Sequence, residues 1–192
     1  MTLHAPIRPD GLATKRFTLE EIERMVEADV FDSLRFEVID GEIVPMSPQN
    51  MPHMLIIRRL GRLFDRIISS ERSCWQHATL RMGAAPATLL EPDILIGRVP
   101  KSATAITPDM VDLLVEVAHT TRDKDLNIKA PRYAAAGVPE LWVVDIAYGV
   151  TRVHRRPSPE GWGSIEAIAF DADLRPLCAP DLIVNITALL DD

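Results

Sequence analysis

The sequence predicts an α/β fold: a mixed central β-sheet flanked by helices, preceded by an N-terminal helix and a β-hairpin. Three observations carry this. Residues 53–70 place Ile56, Ile57, Leu60, Leu63, Phe64, Ile67 and Ile68 on one face and Arg58, Arg59, Arg62 and Arg66 on the opposite one, the period of an amphipathic helix lying on a core. Residues 111–118, 122–136 and 140–145 read in succession as strand, helix and strand, the pattern of a crossover connection in a layered fold. Upstream, Thr18-Leu19-Glu20-Glu21 is a capping box and Asp40-Gly41 a tight hairpin turn.

Taken in order, residues 1–16 hold Pro6, Pro9 and Gly11 without periodicity and are expected to form a flexible arm. Residues 17–192 are expected to form a single domain. The capping box opens a helix that runs to about Asp29, and residues 35–39 and 42–46 are the hairpin strands. Ser47-Pro48 and Pro52 form the exit loop before the long helix at 53–70. Strands are expected near 74–82, 94–97 and 111–118, the second preceded by Pro92, a residue suited to a strand start. The helix at 122–136 stops at Gly137, a favoured C-cap residue. Pro131 conflicts with it, because a mid-helix proline removes a hydrogen bond and costs roughly 3 kcal/mol. Either the helix kinks there or it begins near Asn127. Residues 140–145 form a continuous apolar run, as in a buried strand, with further strands near 151–155, 164–170 and 182–186 and a last helical turn at 186–190. These C-terminal strands extend the sheet, of about five strands, or form a small flap.

At 192 residues, 47% hydrophobic and 26% charged, the chain has the composition of a soluble globular protein. No apolar run approaches the roughly 20 residues of a membrane span, and the opening residues lack the apolar core of a signal peptide. Cys74 and Cys178 have no partners at metal-ligand spacing, so a reduced, cytoplasmic protein is expected. The net charge of -7 argues against a protein that coats nucleic acid. Charge is nevertheless uneven: Arg58, Arg59, Arg62, Arg66, Arg72 and Arg81 lie in a stretch whose acids are Asp65 and Glu71.

Two carboxylates stand in apolar strands: Asp93 in Glu91-Pro92-Asp93-Ile94-Leu95-Ile96, and Glu116 in Leu113-Leu114-Val115-Glu116-Val117. Buried carboxylates are costly unless a positive charge lies between them. If the two strands are neighbours, both acids meet one divalent ion. Magnesium prefers one or two carboxylates with waters and substrate phosphates, and Lys129 on the following helix would orient water or stabilise developing charge. Asp125, Lys129 and Tyr133 are spaced i, i+4, i+8 along one helix face.

At these residues the chain resembles the Uma-type family of bacterial putative restriction endonucleases, in the PD-(D/E)xK nuclease superfamily. The matching residues are Glu37 to Pro48, His53, Glu91-Pro92-Asp93-Ile94, Leu114-Val115-Glu116-Val117, Asp125 to Lys129 with Tyr133, and Ala136 to Asp145. The resemblance spans about residues 17–190 in the family's order. It implies a restriction-endonuclease-like core and an endonuclease that hydrolyses DNA phosphodiester bonds with Mg2+ or Mn2+. By the same resemblance Asp93 and Glu116 are catalytic acids and metal ligands, and Lys129 is the catalytic lysine. Ala118 occupies the superfamily's usual lysine position, so Lys129 replaces it from the next helix. His119 departs from the family's aspartate or serine. Glu42, after the hairpin turn, is a third candidate acid, and His53 a residue that approaches the phosphate or acts as a base. Cutting both strands takes two sites, so a homodimer is an expectation.

The competing readings are structural. Asp93 and Glu116 could form ion pairs with Arg81, Arg98 or a lysine, and Lys124 competes with Lys129. The arginine face of residues 58–66 reads as a solvated helix side before it reads as a DNA track. The Met and Ile stripe opposite it, Trp75 and Trp142 read as core, and Arg155-Arg156 as a turn with phosphate contact. The functional alternative is a catalytically inactive nuclease-fold module that binds DNA or a protein partner. A metal-dependent hydrolase of another phosphate ester is a third reading.

Overall fold

The computed structural model describes residues 14–67, 71–119 and 121–191. In chain order its elements are α1 (Leu19–Glu27), β1 (Phe36–Ile39), β2 (Glu42–Pro45), α2 (Met51–Ile67), β3 (Ser73–Gln76), β4 (Leu80–Ala84), β5 (Ala87–Leu90), β6 (Ile94–Gly97) and β7 (Val111–Ala118). There follow α3 (Arg122–Lys124), a π-helical turn (Asp125–Lys129), α4 (Ala130–Ala135), β8 (Glu140–Asp145), β9 (Val150–Ser158), β10 (Gly161–Ala169) and α5 (Ile186–Asp191). Two compact units result: one runs to Pro48 and includes Arg81–Leu90, the other holds Gln49–Leu80 and Glu91 onward. Of the expected N-terminal arm, residues 1–13 lie outside the described residues, as do 68–70 at the expected end of the long helix.

In the first unit the capping box is complete. The Thr18 side chain accepts from the Glu21 amide and the Glu21 carboxylate accepts from the Thr18 amide. The hairpin turn has positive φ at both central residues, 50° at Asp40 and 83° at Gly41, which Asp and Gly tolerate best. Any side chain at Gly41 would also collide, since its Cβ would lie 2.8 Å from the Arg16 Cβ and from the Phe17 amide nitrogen. The small sheet has the order β2-β1-β5-β4, and α1 buries Ile22 against Val38 and Ala87. Strand β5 is absent from the sequence-based expectation, being four residues placed directly after Pro86.

The second unit holds a six-stranded sheet, β10-β9-β8-β7-β6-β3, rather than about five strands in a single sheet. The strand expected at 74–82 divides: β3 pairs with β6, and β4 joins the small sheet. Between them His77 adopts a φ of 54°, which ends the extended run. β7 and β8 run parallel, joined by the expected helical crossover; β9 and β10 extend the sheet beyond β8, so the C-terminal strands are no flap. Residues 182–186 form no long strand. Val184 makes an isolated bridge to Leu174 before α5 begins.

One face of this sheet packs against α2, whose Ile56, Ile57, Leu60 and Phe64 join Leu113, Val115, Val117, Trp142 and Val144 in the core. Trp142 is fully buried, but Trp75 lies on the edge strand β3 with 42% exposure, correcting its core assignment. Met51 and Met54 are likewise exposed rather than core, at the start of α2. Pro52 lies inside the first turn of α2, not in the exit loop, where a missing amide hydrogen costs nothing. Arg155 and Arg156 belong to β9, not to a turn, and Arg155 is spent on the buried Glu140 at 2.7 Å.

Candidate active site

Strand pairing brings the two acids together. β6 and β7 are antiparallel with Ile94 opposite Val115, and continuing that register by one residue sets Asp93 opposite Glu116. Side chains alternate along a strand. Leu113, Val115 and Val117 face α2, so Glu116 points to the other face, where the crossover helix lies.

That crossover resolves the Pro131 conflict. The helix neither kinks at the proline nor starts at Asn127: it widens by one π turn over Asp125–Lys129, and Pro131 then falls in the first turn of α4. The Ala130 amide donates to the Asp125 carbonyl across the wide turn. A four-residue step overshoots one α-helical turn of 3.6 residues and undershoots a π turn. Asp125, Lys129 and Tyr133 therefore stay aligned, and all three are buried.

Glu116 Oε1 accepts from Lys129 Nζ at 3.1 Å and from the Tyr133 hydroxyl at 2.7 Å. The Lys129 and Glu116 side chains are 4% and 3% exposed, so the pair is a buried one. Of the partners the structural reading offered, the lysine is the one found, Lys129 on Glu116; Arg81 pairs with Glu23 and Arg98 approaches Asp112. Lys129 Nζ also approaches the Glu91 carbonyl at 3.5 Å and Asp125 Oδ1 at 4.0 Å. Burial raises the Asp125 carboxyl above its ordinary value, against the opposing pull of Lys129 and the Thr121 hydroxyl, and the Asp93 charge adds to the rise.

Asp93 is held from three sides. Its Oδ2 accepts from the Val117 backbone amide at 2.7 Å and faces His53 Nε2 at 3.2 Å, and Oδ1 lies 3.5 Å from the Gln49 side-chain Nε2. A carboxylate only accepts, so His53 carries its proton on Nε2. His53 Nδ1 is buried with no hydrogen-bond partner among the described residues. The Asn50 side chain caps α2 by accepting from the His53 amide, and its Nδ2 reaches His119 Nδ1 at 3.2 Å. His119 is itself exposed.

Asp93, Glu116, Lys129 and His53 all belong to the second unit. Glu42 belongs to the first, where it stands exposed on β2 and 3.9 Å from Arg16. Sequence reasoning did not select Gln49, Asn50 or Thr121. Asn50 had a readable signal, an Asn just ahead of an amphipathic run; Gln49 had none. Two carboxylates on adjacent strands are hard oxygen donors of the kind Mg2+ or Mn2+ takes, with the remaining positions left to water and phosphate. No group of three or more His, Cys, Asp or Glu residues that could hold a metal ion is present among the described residues.

The sequence matches the Uma2 family, described as putative restriction endonuclease, over residues 19–187. The chain belongs to this family. A crystal structure of a putative nuclease belonging to DUF820 from Anabaena variabilis superimposes with a TM-score of 0.72 at 16% identity, covering 91% of this chain and 98% of that one. At that identity the likeness establishes a shared fold, mixed α/β with sheets flanked by helices. No curated protein matches the chain. Among the described residues no helix is long and apolar enough to cross a membrane. Within the Uma2 family's span the candidate acids and the buried lysine fall just before β6, on its neighbour β7 and on the crossover helix that follows.

Proposed function

We propose that this protein is a metal-dependent endonuclease that hydrolyses DNA phosphodiester bonds, with Asp93 and Glu116 as metal ligands and Lys129 as electrostatic assistant. The observation that carries the reading is the convergence of Lys129 Nζ and the Tyr133 hydroxyl on one oxygen of Glu116, with Asp93 set across the strand pair. A divalent ion, when bound, supplies polarisation of the scissile phosphate and a lowered pKa for a bound water. The chain's own residues prepare that site. Val117 and His53 hold Asp93 Oδ2 and the Gln49 side chain lies against Oδ1, which fixes the orientation of the carboxylate. Tyr133 fixes the Glu116 carboxylate, and the buried Lys129 ammonium is positioned to stabilise negative charge developing on the phosphoryl oxygens. Its low-polarity surroundings strengthen that interaction. A homodimer is the assembly that would cut both strands.

The test is plasmid cleavage by purified protein in Mg2+ and in Mn2+, beside Asp93→Asn and Glu116→Gln. Asp93→Asn keeps most of its buried hydrogen bonds and should abolish cleavage with the melting temperature within a few degrees. Glu116→Gln should abolish cleavage too but lower the melt, because it leaves Lys129 buried without its acid. Metal-dependent cleavage that survives both changes would sink the site assignment.

A second reading has one observation of its own: Ala118 stands where, by the family resemblance, the superfamily lysine would be. An inactive module that binds DNA or a protein would take up no Mn2+ in titration calorimetry and cut no DNA.

A further inference from the structure

The outer face of α2 carries a feature that the acidic site does not use. Between α2 and α5 runs a groove of about 430 Å³, lined by Arg58, Arg59, Arg62 and Arg66 on a floor of Leu55, Leu63 and Leu189. Arg59 is spent locally, since its guanidinium donates to the Leu189 carbonyl and ties the two helices together. Arg58, Arg62 and Arg66 are exposed, and among the described residues none of them forms an ion pair or side-chain hydrogen bond. They recur every fourth residue, which puts like charges one turn apart, an arrangement that destabilises a helix. A protein of net charge -7 has carboxylates to spare for such a row, yet Arg72 and Arg81 take theirs, Asp112 and Glu23, while these three do not.

We infer that this groove is an anion-binding track for the phosphodiester backbone of a nucleic acid, separate from the acidic site. Three features select that occupant. The row from Arg58 to Arg66 extends roughly 12 Å along the helix at 1.5 Å per residue, which suits a linear run of phosphates better than one compact anion. All the cations are arginines, whose planar forks bind phosphate oxygens in pairs. The apolar floor lies beneath the charges, so their field is less screened than on an open polar surface. His53 lies on the opposite side of α2, toward the core and Asp93, so the row contacts backbone away from any scissile bond. The inference therefore does not depend on the acidic site being active.

The test is fluorescence anisotropy of a short DNA duplex in EDTA, with salt varied from about 50 to 200 mM. The proteins are wild type, the triple variant Arg58→Gln/Arg62→Gln/Arg66→Gln and the triple Arg→Lys variant at the same positions. Each phosphate that an arginine neutralises adds about 0.9 to the slope of log K against log salt. The glutamine variant should therefore drop about 2 to 3 from the slope and bind at least tenfold more weakly at about 100 mM salt. The lysine variant keeps the charge and should keep the slope while binding less tightly. Thermal melts verify that both variants are folded, as exposed helix positions allow. An unchanged slope in the glutamine variant overturns the inference, as does a wild type that binds no DNA. Binding of a polyglutamate peptide that the glutamine variant loses, without a change in DNA slope, overturns it in favour of an acidic protein partner.

Discussion

Lys129 is a buried cation whose nearest acid is also a candidate metal ligand, which ties stability to function at one atom pair. Removing one partner of a buried ion pair strands the other and costs about 3–5 kcal/mol. Lys129→Met should therefore lower the melting temperature sharply and abolish cleavage. Adding Glu116→Gln should restore much of the melt, because the neutral amide still accepts from Tyr133, yet restore no activity. Equal melts for the single and double variants would show that the pair is not coupled. Asp125 provides the pH counterpart. Burial raises its carboxyl above the ordinary value of 3.8, so the folded chain binds that proton more tightly than the unfolded one. Stability from this group is then full below the ordinary pKa and declines as pH rises through the folded value. Asp125→Asn should remove the decline. Its melting temperature relative to wild type should rise with pH just above 3.8 and level off once the wild-type carboxyl is ionised, as followed by circular dichroism.

At the scale of elements, two irregularities do specific jobs. The π turn at Asp125–Lys129 lets Pro131 enter the first turn of α4, where no amide hydrogen bond is lost, and keeps Lys129 against Glu116. The Asp40-Gly41 turn closes the first hairpin at a point where Arg16 and Phe17 pass too close for a side chain. Gly41→Ala should cost at least about 1 kcal/mol, because a φ of 83° strains any L side chain and the new Cβ collides as well. Urea denaturation would measure it. A loss below a few tenths of a kcal/mol would mean that the turn relaxes into another type.

Across the whole molecule, the core of the larger sheet is where stability concentrates. Trp142 is its largest fully buried side chain, packed with its ring centroid 6.2 Å from Phe64 on α2. Trp142→Ala should cost about 3–5 kcal/mol, and near-UV circular dichroism should report loosened packing around α2. The elements with strong local signals are legible in the chain itself: the capping box at Thr18, the Asp-Gly hairpin, the amphipathic α2 and the crossover around β7 and β8. So are Asp93 and Glu116 as candidates, because charges in apolar runs need a reason to be there, whereas the choice of Lys129 over Lys124 rests on the family resemblance. Trp75 and β5 are misread because a short apolar stretch looks the same at an edge and in a core, and nothing local says which strand will cover it. Local chemistry, the turn residues and hydrophobic periods, thus determined which segments are helix or strand. Only tertiary pairing decided that 74–82 splits between two sheets, that Asp93 falls opposite Glu116, and that Gln49 and His53 reach Asp93 while Asn50 reaches His119. Those contacts join residues about 40 or more positions apart, and their geometry depends on strand register, which no local pattern specifies.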